Sequence, residues 1–277
     1  MKIIAKNKLA DTEYEIYIED PRVAKKAQAG QFVILRINDF GERVPLTVVA
    51  TDPEAGWVRL IFQVIGKSTA QLAVLNTGDE IQDFVGPLGK ATEIKNYGHV
   101  LMVGGGVGIA ALFPIVKALK EAGNTVTTIL GAKTADLLIL KEECNRYSDK
   151  LILMTDDGSL GEKGLVTDAM KKVLQTETID FGWAIGPSPM MKFATLTAMD
   201  FDLPIYVSLN PIMVDGTGMC GGCRVTVADS VKYACVDGPE FLGAEVAWDE
   251  FIARMSQYRS AEDTAYQKYR EQVEAHG

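Results

Sequence analysis

The chain has 277 residues, 47% of them hydrophobic, and a formal net charge of −9. That length suits two domains of roughly 100–200 residues each, with enough apolar content for buried cores. The acidic balance excludes a nucleic-acid partner, which needs a basic face. The uncharged run 100–116 is excluded as a membrane span because Gly104, Gly105, Gly106, Gly108 and Pro114 interrupt it and it falls short of the roughly 20 residues a span needs.

Met1 to Glu15 has neither the apolar stretch nor the small-residue cleavage site of an export signal, so a cytoplasmic protein is expected. Residues 1–97 read as a small antiparallel β-barrel. Its β-rich runs at 31–37, 46–50, 57–65 and 80–84 are separated by turn signals such as Asp52-Pro53-Glu54-Ala55-Gly56. Arg43-Val44-Pro45-Leu46-Thr47 offers a cation for a phosphate and a strand hydroxyl. Gly66-Lys67-Ser68-Thr69 follows a strand and opens a helix over 70–75. A lysine and hydroxyls at a helix start suit a pyrophosphate, and they equally suit a capped helix with no ligand.

After Gly98 the rhythm changes to strand 100–103, helix 109–122, strand 125–130, helix 137–146, strand 151–155, helix 167–175 and strand 181–185. Such alternation predicts βαβ units and a doubly wound parallel sheet over 98–208. Gly104-Gly105-Gly106-Val107-Gly108 lies between a strand and a helix, where a phosphate can approach the backbone N–H groups. It departs from the strict G-x-G-x-x-G pattern, and an ordinary tight turn is its plain alternative. Asp156-Asp157-Gly158 ends another strand; carboxylates there accept from a ribose and repel a 2′-phosphate, favouring NAD(H) over NADP(H). A solvated turn that uses Asp for its turn chemistry is the competing reading. Gly186-Pro187-Ser188-Pro189-Met190-Met191 forms a further strand-end loop on the same edge.

Three of the four cysteines fall in the segment 209–245, a clustering that reads as metal binding in a reducing compartment. Asp215-x4-Cys220-x2-Cys223, followed by Cys235, keeps the C-x4-C-x2-C…C spacing of plant-type 2Fe-2S sites with Asp215 in the first ligand position. Gly216, Gly218, Gly221 and Gly222 let the backbone wrap closely and aim amides at sulfur. Zinc is the alternative occupant, but His99 and His276 are both distant. Cys144 stands alone in a helix-like stretch. In the tail, 246–277, Phe251, Ile252, Met255 and Tyr258 recur at helical spacing. Ser260 with Asp263 caps a second helix carrying Tyr266 and Tyr269. The tail either packs on its own chain or docks a partner.

The order of barrel, GGGVGIA turn, TDDGS and GPSPMM resembles the ferredoxin–NADP reductase superfamily. The cluster segment narrows the likeness to relatives of the electron-transfer subunit of dihydroorotate dehydrogenase. It covers roughly residues 1–250, and its most specific part is Val214-Asp215-Gly216-Thr217-Gly218-Met219-Cys220-Gly221-Gly222-Cys223 with Cys235-Val236-Asp237-Gly238-Pro239-Glu240-Phe241. The resemblance implies FAD on the barrel, held by Arg43, Pro45, Leu46, Thr47, Phe62, Val64, Gly66, Lys67, Ser68 and Thr69. It implies NAD(H) against Gly105, Gly106, Val107, Gly108, Ile109, Asp156, Asp157, Gly158, Gly186, Pro187 and Met190, and a 2Fe-2S cluster on Asp215, Cys220, Cys223 and Cys235.

It further implies a larger partner subunit carrying FAD and 4Fe-4S clusters, in a heterodimer or higher assembly, with ferredoxin reached through that subunit as in flavin-based electron bifurcation. Hydride would move between nicotinamide and FAD, and single electrons through the 2Fe-2S cluster. Plain reductases have arginine where Val44 stands, and many relatives have cysteine where Ile185 stands, so no catalytic side chain is assigned and hydride transfer rests on positioning. Electron-transfer subunits of dihydroorotate dehydrogenase have cysteine at the position of Asp215 and end soon after the cluster. They form the nearest alternative reading, with a zinc-stapled, non-enzymatic binding module as the other.

Overall fold

A computed structural model describes residues 1–276. The first part of the chain forms β1 (Ile3–Lys8), β2 (Glu13–Glu19), α1 (Pro21–Lys26), β3 (Phe32–Arg36), β4 (Val44–Thr47), β5 (Ala50–Asp52), β6 (Trp57–Gln63), α2 (Lys67–Val74) and β7 (Asp83–Leu88). Period-two alternation decides which way each strand faces: Ile16 and Ile18 of β2 are fully buried in the barrel core with Val33, Leu35, Leu60 and Phe62. Two antiparallel sheets, β1-β2-β6-β5 and β4-β3-β7, enclose that core. Asp20 caps α1 by accepting from the Arg22 and Val23 amides, at 3.0 and 3.1 Å. The run read as one strand over 46–50 is split into β4 and β5, and the strand read over 80–84 starts later, at Asp83.

The second part forms β8 (His99–Gly105), α3 (Gly108–Glu121), β9 (Thr125–Ala132), α4 (Lys141–Arg146), β10 (Lys150–Thr155), β11 (Glu162–Lys163), α5 (Val166–Thr176), β12 (Phe181–Ile185), α6 (Ser188–Met199) and β13 (Ile205–Ser208). Val100, Leu101, Met102 and Val103 are all fully buried, as expected of a parallel strand covered on both faces. The helix read over 137–146 is shorter than expected. Leu140 adopts a left-handed φ of 54°, which ends the preceding turn and delays α4 to Lys141.

The remaining elements are β14 (Arg224–Val227), β15 (Ser230–Tyr233), β16 (Glu240–Leu242), α7 (Trp248–Met255) and α8 (Arg259–His276). β14 and β15 form a hairpin whose two turn residues, Ala228 and Asp229, both have positive φ. β16 adds to the large sheet antiparallel to β13, giving the order β11-β10-β9-β8-β12-β13-β16. Trp248 and Phe251 are buried in the same core as Cys223 and Cys235, so α7 helps complete the cluster segment. α8 then crosses to the barrel and packs on α2. Among the described residues no helix is long and apolar enough to cross a membrane.

The outer face of β2 and β6 meets the nucleotide half. Ile61 and Val49 share a core with Phe113 and Leu138, and Arg59 bridges Glu15 on β2 to Glu143 on α4, the latter at 2.7 Å. Glu13 points the same way but is fully buried with neither carboxylate oxygen partnered. Burial, with the Asp136 carboxylate adding to it, pushes its pKa up to about 7. A carboxyl whose folded pKa lies above its ordinary 4.5 contributes stability that is complete below 4.5 and lost as pH rises through about 7. Glu13→Gln should therefore raise unfolding stability by less than about 1 kcal/mol at pH 5 and by about 3.5 kcal/mol at pH 8, the shift from 4.5 to about 7 taken at roughly 1.4 kcal/mol per pKa unit. Urea midpoints at the two pH values check this; an equal effect at both would refute it.

Candidate functional site

Every parallel strand of the large sheet delivers its C-terminal end to one edge, and the strand order reverses between β8 and β12. Such a switch point leaves a crevice where ligands of doubly wound sheets bind. Its two lips are the turn Gly105, Gly106, Val107, Gly108 and the turn Gly186, Pro187, leading to Met190. They touch backbone to backbone: a Cβ at Gly108 would stand 2.6 Å from the Gly186 Cα and 2.6 Å from the Ile185 carbonyl oxygen. The Met190 sulfur lies under both lips, 2.3 Å from where a Gly105 Cβ would be and 2.8 Å from one at Gly186. Ile109 is fully buried and anchors the start of α3 in the core.

Two strands away on the same edge, Asp156, Asp157 and Gly158 follow β10. Asp157 is taken up by its own turn, accepting from the Ser159 amide at 2.9 Å and hydroxyl at 2.6 Å, and the Ser159 hydroxyl foremost holds its carboxyl below the usual range. Asp156 is exposed at the strand end. Gly158 has φ 80°, which makes the turn possible.

On the barrel, Pro45, Leu46 and Thr47 of β4 are half-buried beside β3. Arg43, just before β4, donates to the Val214 carbonyl at 3.4 Å, which brings the start of β4 against the cluster loop. In the Gly66-Lys67-Ser68-Thr69 turn, the Thr69 hydroxyl accepts from the Ile65 and Gly66 amides at 3.0 and 3.2 Å, a local cap. Ser68 donates to the Glu42 carboxylate at 2.6 Å. Lys67 and the unpaired amides of the first turn of α2 are what this turn offers to an anion. Phe62 is buried in the barrel core and stacks on Tyr14, supporting the floor from beneath, whereas Val64 is half-exposed. Space above Gly66 is open, with no atom within 4 Å of a Cβ there, and Ile65 beside it is 76% exposed. An open, apolar ledge at a helix N-terminus fits a flavin dinucleotide. Glu42 and Ile65 escaped the sequence reading; only their nearness to Gly66 in the fold draws attention to them.

In the cluster loop, the four proposed ligands fall into two pairs. Cys223 and Cys235 are buried and unbridged, with sulfurs 3.2 Å apart. Asp215 and Cys220 form the outer pair: the Asp215 carboxylate accepts from the Cys220 amide at 2.7 Å and the Thr217 amide at 2.8 Å. Those amides, Thr217 foremost, hold the Asp215 carboxyl below the usual range, while burial pushes the Cys235 thiol up to about 12. Among the described residues no three His, Cys, Asp or Glu side chains gather in metal-ligating geometry. Two donors at each of two positions fit a two-iron cluster better than a single zinc, which draws four donors to one point. Gly216 packs so tightly that a Cβ would sit 2.6 Å from Leu88, which seats the loop on the barrel.

Residues 210–247 match the iron–sulfur cluster binding domain of dihydroorotate dehydrogenase B, and residues 102–195 the oxidoreductase NAD-binding domain. A Thermotoga maritima protein described as a homolog of the dihydroorotate dehydrogenase B (NAD(+)) electron transfer subunit is 56% identical, covering 97% of this chain and 95% of its own. The dihydroorotate dehydrogenase B electron transfer subunit of Geobacillus thermodenitrificans is 32% identical, covering 89% of this chain and 97% of its own. The chain belongs to the dihydroorotate dehydrogenase B electron-transfer subunit family. A solved structure of an NADH-dependent reduced ferredoxin-NADP oxidoreductase, studied for flavin-based electron bifurcation, is 55% identical over 97% of both chains with a TM-score of 0.92. A ferredoxin NADP+ reductase from Neisseria gonorrhoeae, 18% identical with a TM-score of 0.58 over 72% of this chain and 89% of its own, shares the fold. As a family member this chain is an oxidoreductase-type electron-transfer subunit, with FAD, a 2Fe-2S cluster and NAD(H) as its cofactors.

Backbone contact between the two crevice lips makes a direct test possible. Gly108→Ala must push the lips apart, an overpacking cost of about 1–3 kcal/mol, or roughly 3–10 °C in Tm for a protein of this size. NADH binding should weaken with it. An unchanged Tm and unchanged NADH titration would mean that the close approach of Gly108 to Gly186 is not a constraint.

Proposed function

We propose that this chain is the nicotinamide-handling subunit of a flavin-based, electron-bifurcating ferredoxin:NAD(P)+ oxidoreductase. Its partner is a larger subunit carrying FAD and 4Fe-4S clusters, through which ferredoxin is reached. The observation that carries the proposal is the contact between Arg43 beside β4 and Val214 beside Asp215, which sets the flavin-side strand directly against the cluster loop. When bound, FAD interconverts the two-electron hydride of NAD(H) and the single electrons that a 2Fe-2S cluster carries.

The chain's own residues bind and orient. Gly105, Gly106, Val107 and Gly108 admit the dinucleotide phosphates to the start of α3, and Gly186, Pro187 and Met190 form the other lip over the nicotinamide. Asp156 accepts from the adenosine ribose and repels a 2′-phosphate. Pro45, Leu46 and Thr47 would flank the flavin ring, while Lys67, the first turn of α2 and Ser68, its hydroxyl turned from Glu42 to the phosphate, would hold its pyrophosphate. Cys223, Cys235, Cys220 and Asp215 would hold the 2Fe-2S cluster, with the Asp215 carboxylate a harder, less covalent donor than thiolate. The likeness at 55% identity over nearly the full length supports the bifurcating type; relatives described as dihydroorotate dehydrogenase B subunits proper are 31–34% identical, and the 56% identical Thermotoga maritima protein is described as a homolog of them. The match of 210–247 favours the latter as the second reading.

One measurement tests the nucleotide site and a second separates the two readings. The isolated chain should reduce an artificial acceptor at least about tenfold faster per substrate concentration with NADH than with NADPH, a ratio worth about 1.4 kcal/mol. Asp156→Ala should shrink that preference; equal rates in the unaltered chain would refute the role given to Asp156. Affinity purification of the tagged chain from its native cell should bring down a flavin- and 4Fe-4S-containing subunit, whereas a dihydroorotate-oxidising subunit would establish the second reading.

A further inference from the structure

The tail helix α8 turns back from the cluster side of the molecule and lies along α2, the helix that begins with Lys67-Ser68-Thr69. Between the two helices runs a groove of about 190 Å³ lined by Ala70, Val74, Tyr266, Tyr269, Arg270 and Val273. Ala70 is the residue immediately after the phosphate-facing turn, so the groove starts where that turn ends. Its apolar walls are left uncovered, with Val74 59% and Val273 49% exposed. Arg270 stands at its side, 3.9 Å from Glu274 on the same helix.

A drug-sized ligand fills a pocket of roughly 300–1,000 Å³. The groove is too small for a whole dinucleotide and has room for one purine with part of its ribose. Two tyrosines offer broad aromatic faces with polar tips, the surface a base stacks on. The flavin ring is needed at β4, within reach of the nicotinamide crevice, so the part of FAD left to run along α2 is its other half. We propose that the groove between α2 and α8 seats the adenosine half of FAD, with the base against Tyr266 and Tyr269. This rests on the reading that the start of α2 holds the flavin pyrophosphate. The tail is then part of a cofactor site rather than simply a packing element, and it is what makes this subunit select FAD over FMN.

The test uses the full chain freed of flavin and titrated with FAD and with FMN, followed by flavin fluorescence. FMN has the flavin ring and one phosphate but no adenosine. Tyr266→Ala and Tyr269→Ala should each weaken FAD binding about tenfold, as loss of a stacking partner does, and leave FMN binding within about twofold. Tyr269→Phe, which keeps the ring, should bind FAD nearly as well as the unaltered chain. If both flavins weaken equally, α8 merely clamps α2 and the proposal falls. It falls equally if neither weakens. Lys67→Ala with Ser68→Ala provides the separate arm, since it should weaken both flavins; no effect there would overturn the pyrophosphate reading itself, whatever the tyrosine variants do.

Discussion

A carboxyl group taken out of water is costly unless its oxygens are satisfied, and Glu240 meets that condition by joining three parts of the chain. It accepts from the Thr92 hydroxyl at 2.6 Å, in the link that leaves the barrel, and from the Trp183 indole N–H at 3.2 Å, in the centre of the large sheet. Its own backbone is in β16, which closes the cluster segment. Burial pushes its pKa up while the Thr92 and Trp183 donors pull it down. The flanking backbone follows the same clasp: Lys90 donates to Gly238 and Leu209 donates to Pro239, at 2.6 and 2.9 Å. Removing the carboxyl would strand a buried indole N–H and a hydroxyl, each worth about 1–3 kcal/mol. The barrel, the sheet and the cluster loop are thereby held in one mutual arrangement.

That arrangement explains why the cofactor residues need so little specialised chemistry of their own. The crevice comes from strand order, the anion site from a helix start, and the cluster pairs from a loop seated on β3 and β7 through Gly216. Hydride transfer itself carries no proton to or from a side chain, and Ile185, buried at the end of β12, has none to give. What matters is distance, and the contact from Arg43 to Val214 is the short step between β4, proposed to carry the flavin, and the cluster loop. The salt bridge of Arg59 with Glu15 and Glu143 acts likewise at the other interface, holding the barrel against α4.

The nucleotide half was legible because its signals are local. Apolar strands, glycine turns and amphipathic helices each announce themselves within a dozen residues, and β8, α3, β9, β10 and β12 formed close to where the sequence put them. The cysteine spacing was legible for the same reason. Elsewhere tertiary structure decided between readings that the sequence left equal. Thr69 could be a cap or a phosphate ligand, and its hydroxyl is engaged by the Ile65 and Gly66 amides. Asp156 and Asp157 looked alike until Ser159 engaged one of them. The partner of Arg43 lies 171 residues away, and the route of α8 to α2 is set by packing across the whole molecule. The tail read as either packing on its own chain or docking a partner, and Trp248 and Phe251 at its start are buried beside Cys223 and Cys235. Nothing in local periodicity encodes such choices.

On the function proposed above, nicotinamide, flavin and cluster form one continuous relay within this single chain. Adding NADH anaerobically to the isolated, iron-replete chain and freezing it for electron paramagnetic resonance tests this most directly. NADH alone should produce the signal of a reduced 2Fe-2S cluster, with about two irons and two acid-labile sulfides per chain as that cluster requires. If NADH bleaches the flavin yet leaves the cluster oxidised, while a chemical reductant reduces it readily, the relay does not run through the contact between Arg43 and Val214, and the account is contradicted.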